Sequence, residues 1–188
     1  MTMNETLKNI KERRSVRSFK NEQIKDSELQ TVLEAGFYAP SAMNQQCWNF
    51  TVVQNKNLLE EIGTHSKEIA KEFDNEHLQT LANNEKFNVF YGAPTVVVIS
   101  GEENALLSEA DCAAATQNML IAAQSIGLGS CWINFGMFVF NGPKAEYYKQ
   151  QLQIPAGYTP YYSVALGYKT AATMNAPKRK ENIINYVK

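Results

Sequence analysis

The feature that most constrains this chain is an almost wholly apolar stretch at residues 111–133, DCAAATQNMLIAAQSIGLGSCWI. It opens with Asp111, and an acidic residue suits a helix N-terminus. A helix that is apolar all round is buried, and Gly127 and Gly129 are residues at which a helix ends readily. The apolar and aromatic residues 131–133 are typical of a strand. The stretch therefore predicts a buried core helix followed by a strand, and by itself it indicates no function.

Length, charge and cysteine content bound the class of protein. The 188 residues suit one domain over residues 1–188, and the formal net charge of −1 gives no general reason to bind nucleic acid or an anionic membrane. Cys47, Cys112 and Cys131 have no CxxC or metal-ligand spacing, which argues against a disulfide framework and fits a reducing cytoplasm. The N-terminus lacks the apolar core of a signal peptide, and no apolar run is long enough to span a bilayer. We therefore expect a cytoplasmic protein.

A basic cluster, RRSVRSF, occupies residues 13–19. Arg13, Arg14 and Arg17 fall within five positions, with Ser15 and Ser18 between them. Guanidiniums and hydroxyls in so short a segment suit an anion, above all a phosphate. A solvated basic turn explains the cluster equally well at this stage.

A polar loop, APSAMNQQCWNF, occupies residues 39–50. Its amide side chains each offer a donor and an acceptor, so they suit the C=O and N–H edges of a heterocycle. The alternative is a turn that only satisfies its own backbone.

The remaining pattern predicts a mixed α+β sandwich with few strands. Strands are expected at residues 48–54, 94–100 and 161–168, and the β-branched PTVVVIS should be a central strand. Helices are expected at residues 4–13, from a capping-box pattern beginning at Ser27 to near Tyr38, at residues 56–69 and 75–90, and up to about Leu152. His65 and His77 have no ligand partners at metal spacing, so we interpret both as surface residues and expect no metal site.

The familiar catalytic motifs are absent. The chain has no GxGxxG after a first strand, which makes a doubly wound dinucleotide-binding fold unfavourable, and it has no P-loop, HExxH or GxSxG. Cys131 is a tempting nucleophile, but a thiol in an apolar run is usually inert. If the protein is an enzyme, its reactive centre is expected to be a bound cofactor.

Taken together, these segments resemble the flavin-dependent nitroreductase family over nearly the whole chain. RRSVRSF is similar to the family's N-terminal flavin-phosphate motif, and residues 39–50 are similar to its PSxxNxQPW loop. YGAPTVVVIS resembles its central strand, residues 111–133 its core helix and glycine turn, and LGYK and PKRK its C-terminal end. The family usually has proline where this chain has Cys47, a departure that removes no ligand atom. The resemblance implies a nitroreductase-like sandwich with a central, mainly antiparallel sheet flanked by helices, assembled as an intertwined homodimer.

The resemblance also implies a set of FMN contacts. Arg13, Arg14 and Ser15 would hold the phosphate and ribityl end, and one or more of Lys178, Arg179 and Lys180 would join them. Arg17 would reach the N1/C2 side of the ring, where a fixed cation stabilises the charge that develops on reduction. The backbone around Ile133 and Asn134 would approach N5. The partner subunit would line the ring with Pro40, Ser41, Ala42, Asn44 and Gln46.

The implied chemistry is a two-step NAD(P)H oxidoreductase reaction. NADH or NADPH would deliver hydride to FMN, and a nitro compound or quinone would then take the place of the nicotinamide. Two alternatives stay open: other flavin chemistry on the same scaffold, such as dehalogenation or activated-alkene reduction, and a flavin carrier or sensor without turnover. The aromatic residues Phe73, Phe87, Phe90, Tyr91, Phe135 and Phe138 are candidates either to stack on a flat acceptor or to belong to the core.

Overall fold

The computed structural model describes residues 4–171 and 175–188. Its four strands are β1 Trp48–Val53, β2 Thr95–Glu102, β3 Gly129–Ile133 and β4 Tyr158–Gly167. Its α-helices are α1 Glu5–Glu12, α2 Asp26–Phe37, α3 Lys56–Ala70, α4 Glu76–Asn83, α5 Ser108–Ser125 and α6 Ala145–Gln151. Two 3₁₀ segments, Ala42–Asn44 and Phe135–Asn141, complete the elements. None of the helices in these ranges is both long and apolar enough to cross a membrane.

The strands form one antiparallel sheet in the order β1-β2-β4-β3. The two central strands carry the β-branched and small residues that such a position favours, because their side chains are buried on both faces. In β2, Val96 and Val98 point to one hydrophobic core, and Val97 and Ile99 point to another. The predicted α+β class, with a central antiparallel sheet flanked by helices, is confirmed.

Each face of the sheet is covered by its own helices. Helices α2 and α5 pack against each other on one face, where Val32, Met119 and Leu120 are almost completely buried. Helix α3 and the Phe135–Asn141 segment pack together over the other face. The result is a three-layer sandwich whose sheet edges and loops remain available for a site.

Helix α5 differs from the prediction in its start and in its burial. It begins at Ser108, so Asp111 lies inside the first turn rather than at the helix start. One side of the helix is buried, while Ala113, Ala114 and Ile121 on the other side are only partly covered. Full burial was therefore wrong for the single chain, because only one face of α5 meets the sheet and α2.

Two other helix predictions also need correction. The helix predicted at residues 75–90 ends at Asn83, because the backbone of Asn84 is extended and its side chain accepts from the Lys86 N–H at 3.0 Å. A second turn follows, in which the Asn88 side chain accepts from the backbone N–H groups of Phe90 and Gly92. Helix α2 begins at Asp26, one residue before the predicted capping-box serine. There the Glu28 carboxylate accepts from the backbone N–H of Lys25 at 2.9 Å.

His65 is more than a surface residue. Its side chain is 21% exposed, and its ring contacts the hydroxyl of the fully buried Tyr148 and, at 2.8 Å, the Lys144 ammonium. The Tyr148 hydroxyl also donates to Glu61 at 2.9 Å. This network joins α6 to α3 and explains why a polar ring is partly buried there.

Candidate functional site

The arginine segment at residues 13–19 lies along the outer edge of β3. Ser15 forms a parallel bridge with Ser130, and the backbone N–H of Val16 donates to the Ser130 carbonyl at 2.9 Å. A further bridge joins Phe19 to Lys169. These backbone bonds hold the segment in an extended conformation, so its arginines have defined positions rather than those of a mobile tail.

Three guanidiniums converge here without a compensating acid. Burial lowers the pKa of Arg13 and the charge of Arg14 lowers it further; Cys131 opposes these effects, and the charge of Arg179 adds the smallest lowering. Among the described residues, neither arginine of the Arg13–Arg14 pair forms an ion pair. The buried Nε of Arg14 has no hydrogen-bond partner in this part of the chain. A bound anion would supply the missing acceptor and the missing negative charge.

Of the three C-terminal basic residues, the described structure brings Arg179 towards this cluster. The ammonium of Lys178 instead lies 3.2 Å from the Glu181 carboxylate, with both side chains well exposed. Lys180 is exposed and makes no described hydrogen bond or ion pair. The sequence did not decide which of the three residues joins the arginines at the phosphate. The tertiary arrangement favours Arg179 for that contact.

Arg17 and Cys131 lie next to the cluster. The Arg17 guanidinium carbon is 5.9 Å from the centre of the Tyr91 ring, within the range of a cation–π contact. Burial raises the pKa of the Cys131 thiol, although the charge of Arg17 and a hydrogen bond with Ser15 oppose this effect. Cys131 is 2% exposed, so its geometry gives no support to a nucleophilic role.

Ile133 and Asn134 stand at the far end of the same strand. The carbonyl of Ile133 accepts from the Ser163 hydroxyl at 2.7 Å, and the Asn134 carboxamide oxygen accepts from the Trp132 indole at 2.8 Å. Four residues of strand separate Ser130 from Asn134, which is about 13 Å. The arginine segment and the end of β3 therefore lie along one continuous edge that suits an elongated anionic ligand.

The polar loop at residues 40–46 contains backbone conformations that are energetically unfavourable for residues other than glycine. Met43, Asn44 and Gln46 all adopt left-handed conformations, with φ of 51°, 56° and 48°. Such a conformation costs roughly 1–2 kcal/mol per non-glycine residue, least for asparagine. Non-glycine residues held this way cluster at functional sites, so the strain itself marks this loop as a candidate.

Hydrogen bonds hold the loop in this conformation. The Gln46 backbone N–H donates to the Ser41 hydroxyl at 3.0 Å, and the Gln46 side chain donates to the Asn44 carboxamide oxygen at 3.1 Å. The backbone N–H of Ala42 donates to the Asp111 carboxylate, 3.1 Å from each oxygen. Pro40, Asn44 and Gln46 are exposed, while Ser41 and Ala42 are partly buried.

The two halves of the predicted site lie at opposite ends of the sheet. The loop is tied to the end of β2 by the bond from the Glu102 N–H to the Cys47 carbonyl, and Glu102 pairs with Tyr158 at the start of β4. The arginine segment is tied to Ser130, which pairs with Leu166 near the end of β4. Eight residues of strand between Tyr158 and Leu166 correspond to about 25 Å. One copy of the chain therefore does not bring the loop and the arginines around one small ligand.

The aromatic candidates pack mainly on one another. Phe90 and Phe135 are buried, and ring centres of Phe73 and Phe138 lie 4.9 Å apart, those of Phe138 and Phe135 5.2 Å, and those of Phe135 and Phe87 5.3 Å. Tyr91 continues this row at 5.9 Å from Phe87 and meets Arg17. Most of this set belongs to the hydrophobic core, which leaves Tyr91 as the member beside the cationic cluster.

The contact of Asp111 with the polar loop is not visible in the sequence. Its carboxylate is buried and contacts the loop, but the bond to Ala42 spans 69 residues of sequence. An acid near a helix start has a sufficient local explanation, so no pattern in the sequence separates this contact from ordinary helix capping.

Comparison with known proteins identifies the family. The Nitroreductase family model matches residues 10–168. A nitroreductase from Bacteroides fragilis, solved with bound FMN, is 39% identical with a TM-score of 0.89, covering 98% of this chain and 100% of that one. A nitroreductase from Desulfitobacterium hafniense with bound FMN is 32% identical with a TM-score of 0.91, covering 100% of both chains. A protein of Archaeoglobus fulgidus, provisionally named an NADH dehydrogenase/NAD(P)H nitroreductase, is 33% identical over 176 residues, 88% of this chain and 86% of the relative.

This chain belongs to the nitroreductase family, and the resemblance found in its motifs is thereby confirmed. It is an oxidoreductase of that family. Its fold agrees with the FMN-bound structures over essentially the whole chain.

The cysteines provide a test of the site's local chemistry. Burial raises the pKa of all three thiols, that of Cys112 to about 12. The folded protein should therefore react negligibly with Ellman's reagent at pH 8, while the protein unfolded in guanidinium should release three equivalents of chromophore at once. Rapid reaction of one thiol, abolished by Cys131→Ala, would contradict the inert assignment.

The same thiols make the free energy of unfolding depend on pH. Because the folded state keeps these protons to higher pH than the unfolded chain, the contribution of the protonated thiols to stability is complete below about pH 8.5 and declines as the pH rises.

Proposed function

We propose that the protein is an FMN-dependent NAD(P)H oxidoreductase whose two sites each combine residues of two identical subunits. The proposal is carried by the separation of two complementary half-sites at opposite ends of one sheet. One is the cationic edge formed by the arginine segment at residues 13–19 along β3, and the other is the strained, amide-rich loop at residues 40–46. The FMN-bound nitroreductases with the same fold support the choice of cofactor.

The cationic edge fits the phosphate end of FMN. Arg13 and Arg14 would hold the phosphate, with Arg179 as a further cation. In the described part of the chain, Nη1 of Arg14 donates to the Lys11 and Arg13 carbonyls while its Nε has no acceptor. A phosphate carries several acceptor oxygens and about two negative charges. It would therefore supply both the hydrogen-bond acceptor and the negative charge that this cluster lacks. Ser15, held by its bridge to β3, would contribute a hydroxyl beside them.

The adjoining residues fit the ring end. Arg17 adds a fixed cation that favours any ring gaining negative charge, and the backbone at Ile133 and Asn134, at the end of the edge strand β3, would face a polar ring edge. The bound FMN would supply hydride transfer between NAD(P)H and an electron-poor acceptor. The chain's own residues orient the two reactants, and no side chain here needs to act as nucleophile or general acid.

The same features support the acceptor class that the sequence resemblance implies. A flat, electron-poor molecule such as a nitro compound or quinone would need a polar but non-nucleophilic surface, and the exposed amides of Asn44 and Gln46 provide one. Tyr91 offers an aromatic ring beside Arg17 on the opposing half-site. The name of the A. fulgidus relative supports NAD(P)H as the donor and nitro compounds as an acceptor class.

A second copy of the chain would bring the half-sites together. The chain leaves apolar side chains exposed on α1, at the end of α2 and along its C-terminal segment: Leu7, Ile10, Phe37, Ile183, Ile184, Tyr186 and Val187, at 48–99% exposure. The outer side of α5 is also apolar and only partly covered. Exposed apolar surfaces of this extent mark interaction sites, and an intertwined homodimer would cover them.

The visible absorption spectrum tests the function directly. The freshly purified protein should be yellow, and under anaerobic conditions NADH or NADPH should bleach it. Addition of a nitro compound or quinone should then restore the colour. A yellow protein that neither nucleotide bleaches would favour a flavin carrier or sensor. A colourless protein that takes up no added FMN would refute the proposal.

The phosphate assignment is tested by replacing Arg13 and Arg14 together with alanine. Each charged hydrogen bond contributes about 1.5–3 kcal/mol, so loss of two should weaken FMN binding by roughly 100-fold or more, measured by quenching of flavin fluorescence. The matched control is Lys11→Ala, which removes a charge from the same helix end; the Lys11 side chain is exposed and forms no ion pair with any residue that the structure describes. Equal FMN affinity in the double variant and the control would remove the assignment.

The shared site is tested by subunit complementation. A chain carrying Arg13→Ala and Arg14→Ala is co-expressed with a chain carrying Asn44→Ala and Gln46→Ala, under two affinity tags. Each variant alone should retain little FMN, because both of its sites are damaged. The mixed dimer should regain one FMN per dimer. One of its two sites combines the intact arginines of the loop variant with the intact loop of the arginine variant. Mixed dimers without FMN would mean that each site is built within one chain.

A further inference from the structure

Asp111 has an unusual environment for a carboxylate. It is 5% exposed in the first turn of α5, and none of the ion pairs among the described residues includes it. Both of its oxygens lie 3.1 Å from the Ala42 nitrogen, and the Cys47 thiol lies 3.6 Å from Oδ2. The carboxylate therefore accepts from both ends of the loop at residues 42–47, and its charge is favoured by the α5 N-terminus.

The other attachments of the loop lie at its C-terminal end or on its surface. The backbone N–H of Glu102 donates to the Cys47 carbonyl at 2.9 Å, which ties that end of the loop to β2. The bonds between Ser41, Asn44 and Gln46 lie within the loop and are exposed to solvent. The bond from the Leu106 N–H to the Gln45 side chain is also exposed and reaches another connecting segment. Asp111 is the buried contact that reaches the loop from a long helix of the core, and the three left-handed non-glycine residues lie within the four positions after its partner Ala42.

We propose that Asp111 is the positioning residue of the cofactor-facing loop, a role that rests on the proposed function. By anchoring Ala42 and Cys47 to α5, it holds Asn44 and Gln46 in their left-handed conformations and presents their amides to the FMN bound by the partner subunit. The thiol of Cys47 takes part as a second donor to the same carboxylate. Asp111 itself does not contact the ligand.

The geometry explains why the acid, rather than any acceptor, is needed. Asparagine at position 111 offers one oxygen instead of two and no charge, so Ala42 and the Cys47 thiol can no longer each donate to a separate charged oxygen. The substitution therefore preserves size but loses one of the two attachments. Cys47→Ala removes only the thiol attachment and leaves the carboxylate and the Ala42 bond in place.

The test compares Asp111→Asn and Cys47→Ala with the matched control Glu109→Gln. Glu109 is in the same helix turn and carries the same charge, but it accepts from Tyr162 at 3.0 Å and does not contact the loop. Amide hydrogen exchange of residues 42–46 is measured on the protein as purified and again with saturating FMN, and the dissociation constant for FMN is measured by titration. Loss of one charge-assisted bond corresponds to about a tenfold effect, so Asp111→Asn should accelerate loop exchange and weaken FMN binding by roughly that factor. Cys47→Ala should have a smaller effect of the same sign, and Glu109→Gln none.

The complementation arrangement gives a readout that a general loss of stability would not. In a mixed dimer with the Arg13→Ala, Arg14→Ala chain, an Asp111→Asn chain should bind FMN at its own arginines with normal affinity, because the loop facing that site is unaltered. Weakened binding there, or loop exchange unchanged from the wild type, would overturn the proposal. Faster loop exchange with unchanged FMN affinity in the Asp111→Asn homodimer would also overturn it. If the wild-type protein took up no FMN, the proposed function would fail, whereas loop exchange would still decide whether Asp111 anchors the loop.

Discussion

The pairing of β2 with β4 is the constraint on which the rest of the structure depends. Both strands are central, so their side chains are buried on both faces of the sheet, as Val96 and Val97 illustrate. A sheet of this kind is stable only if helices cover each face, because any uncovered apolar strand surface would remain in water. The positions of α5 and α3 on opposite faces follow from this requirement.

The same strand pairing sets the dimensions of the proposed site. The cationic edge is attached near Leu166 and the strained loop near Tyr158, so the length of β4 separates them. The separation makes a second copy of the chain part of the proposed chemistry rather than an accessory. The exposed apolar residues of α1 and of the C-terminal segment supply surface for that contact.

The two half-sites are held by different physical means. Backbone bonds to β3 fix the arginine segment, where burial first, and then the charges of neighbouring guanidiniums, lower the pKa of Arg13. The loop is instead held in unfavourable backbone conformations by hydrogen bonds to Ser41 and to the buried carboxylate of Asp111. The arginine segment therefore holds buried positive charge, and the loop holds strained backbone conformations. A bound ligand can relieve the first and make use of the second, which is typical of binding sites.

Local patterns in the sequence determined the strand at β2, the core helix α5, its glycine end and the residue types of both half-sites. These features depend on neighbouring residues, through β-branched propensity, apolar periodicity and turn chemistry. Tertiary structure decided that α4 stops at Asn83, that Arg179 comes near enough for its charge to act on Arg13, and that Asp111 bonds to Ala42 across 69 residues. It also decided that the half-sites lie about 25 Å apart in one chain. Such contacts arise from the packing of distant segments, and the local sequence pattern around each residue is the same whether or not the contact forms.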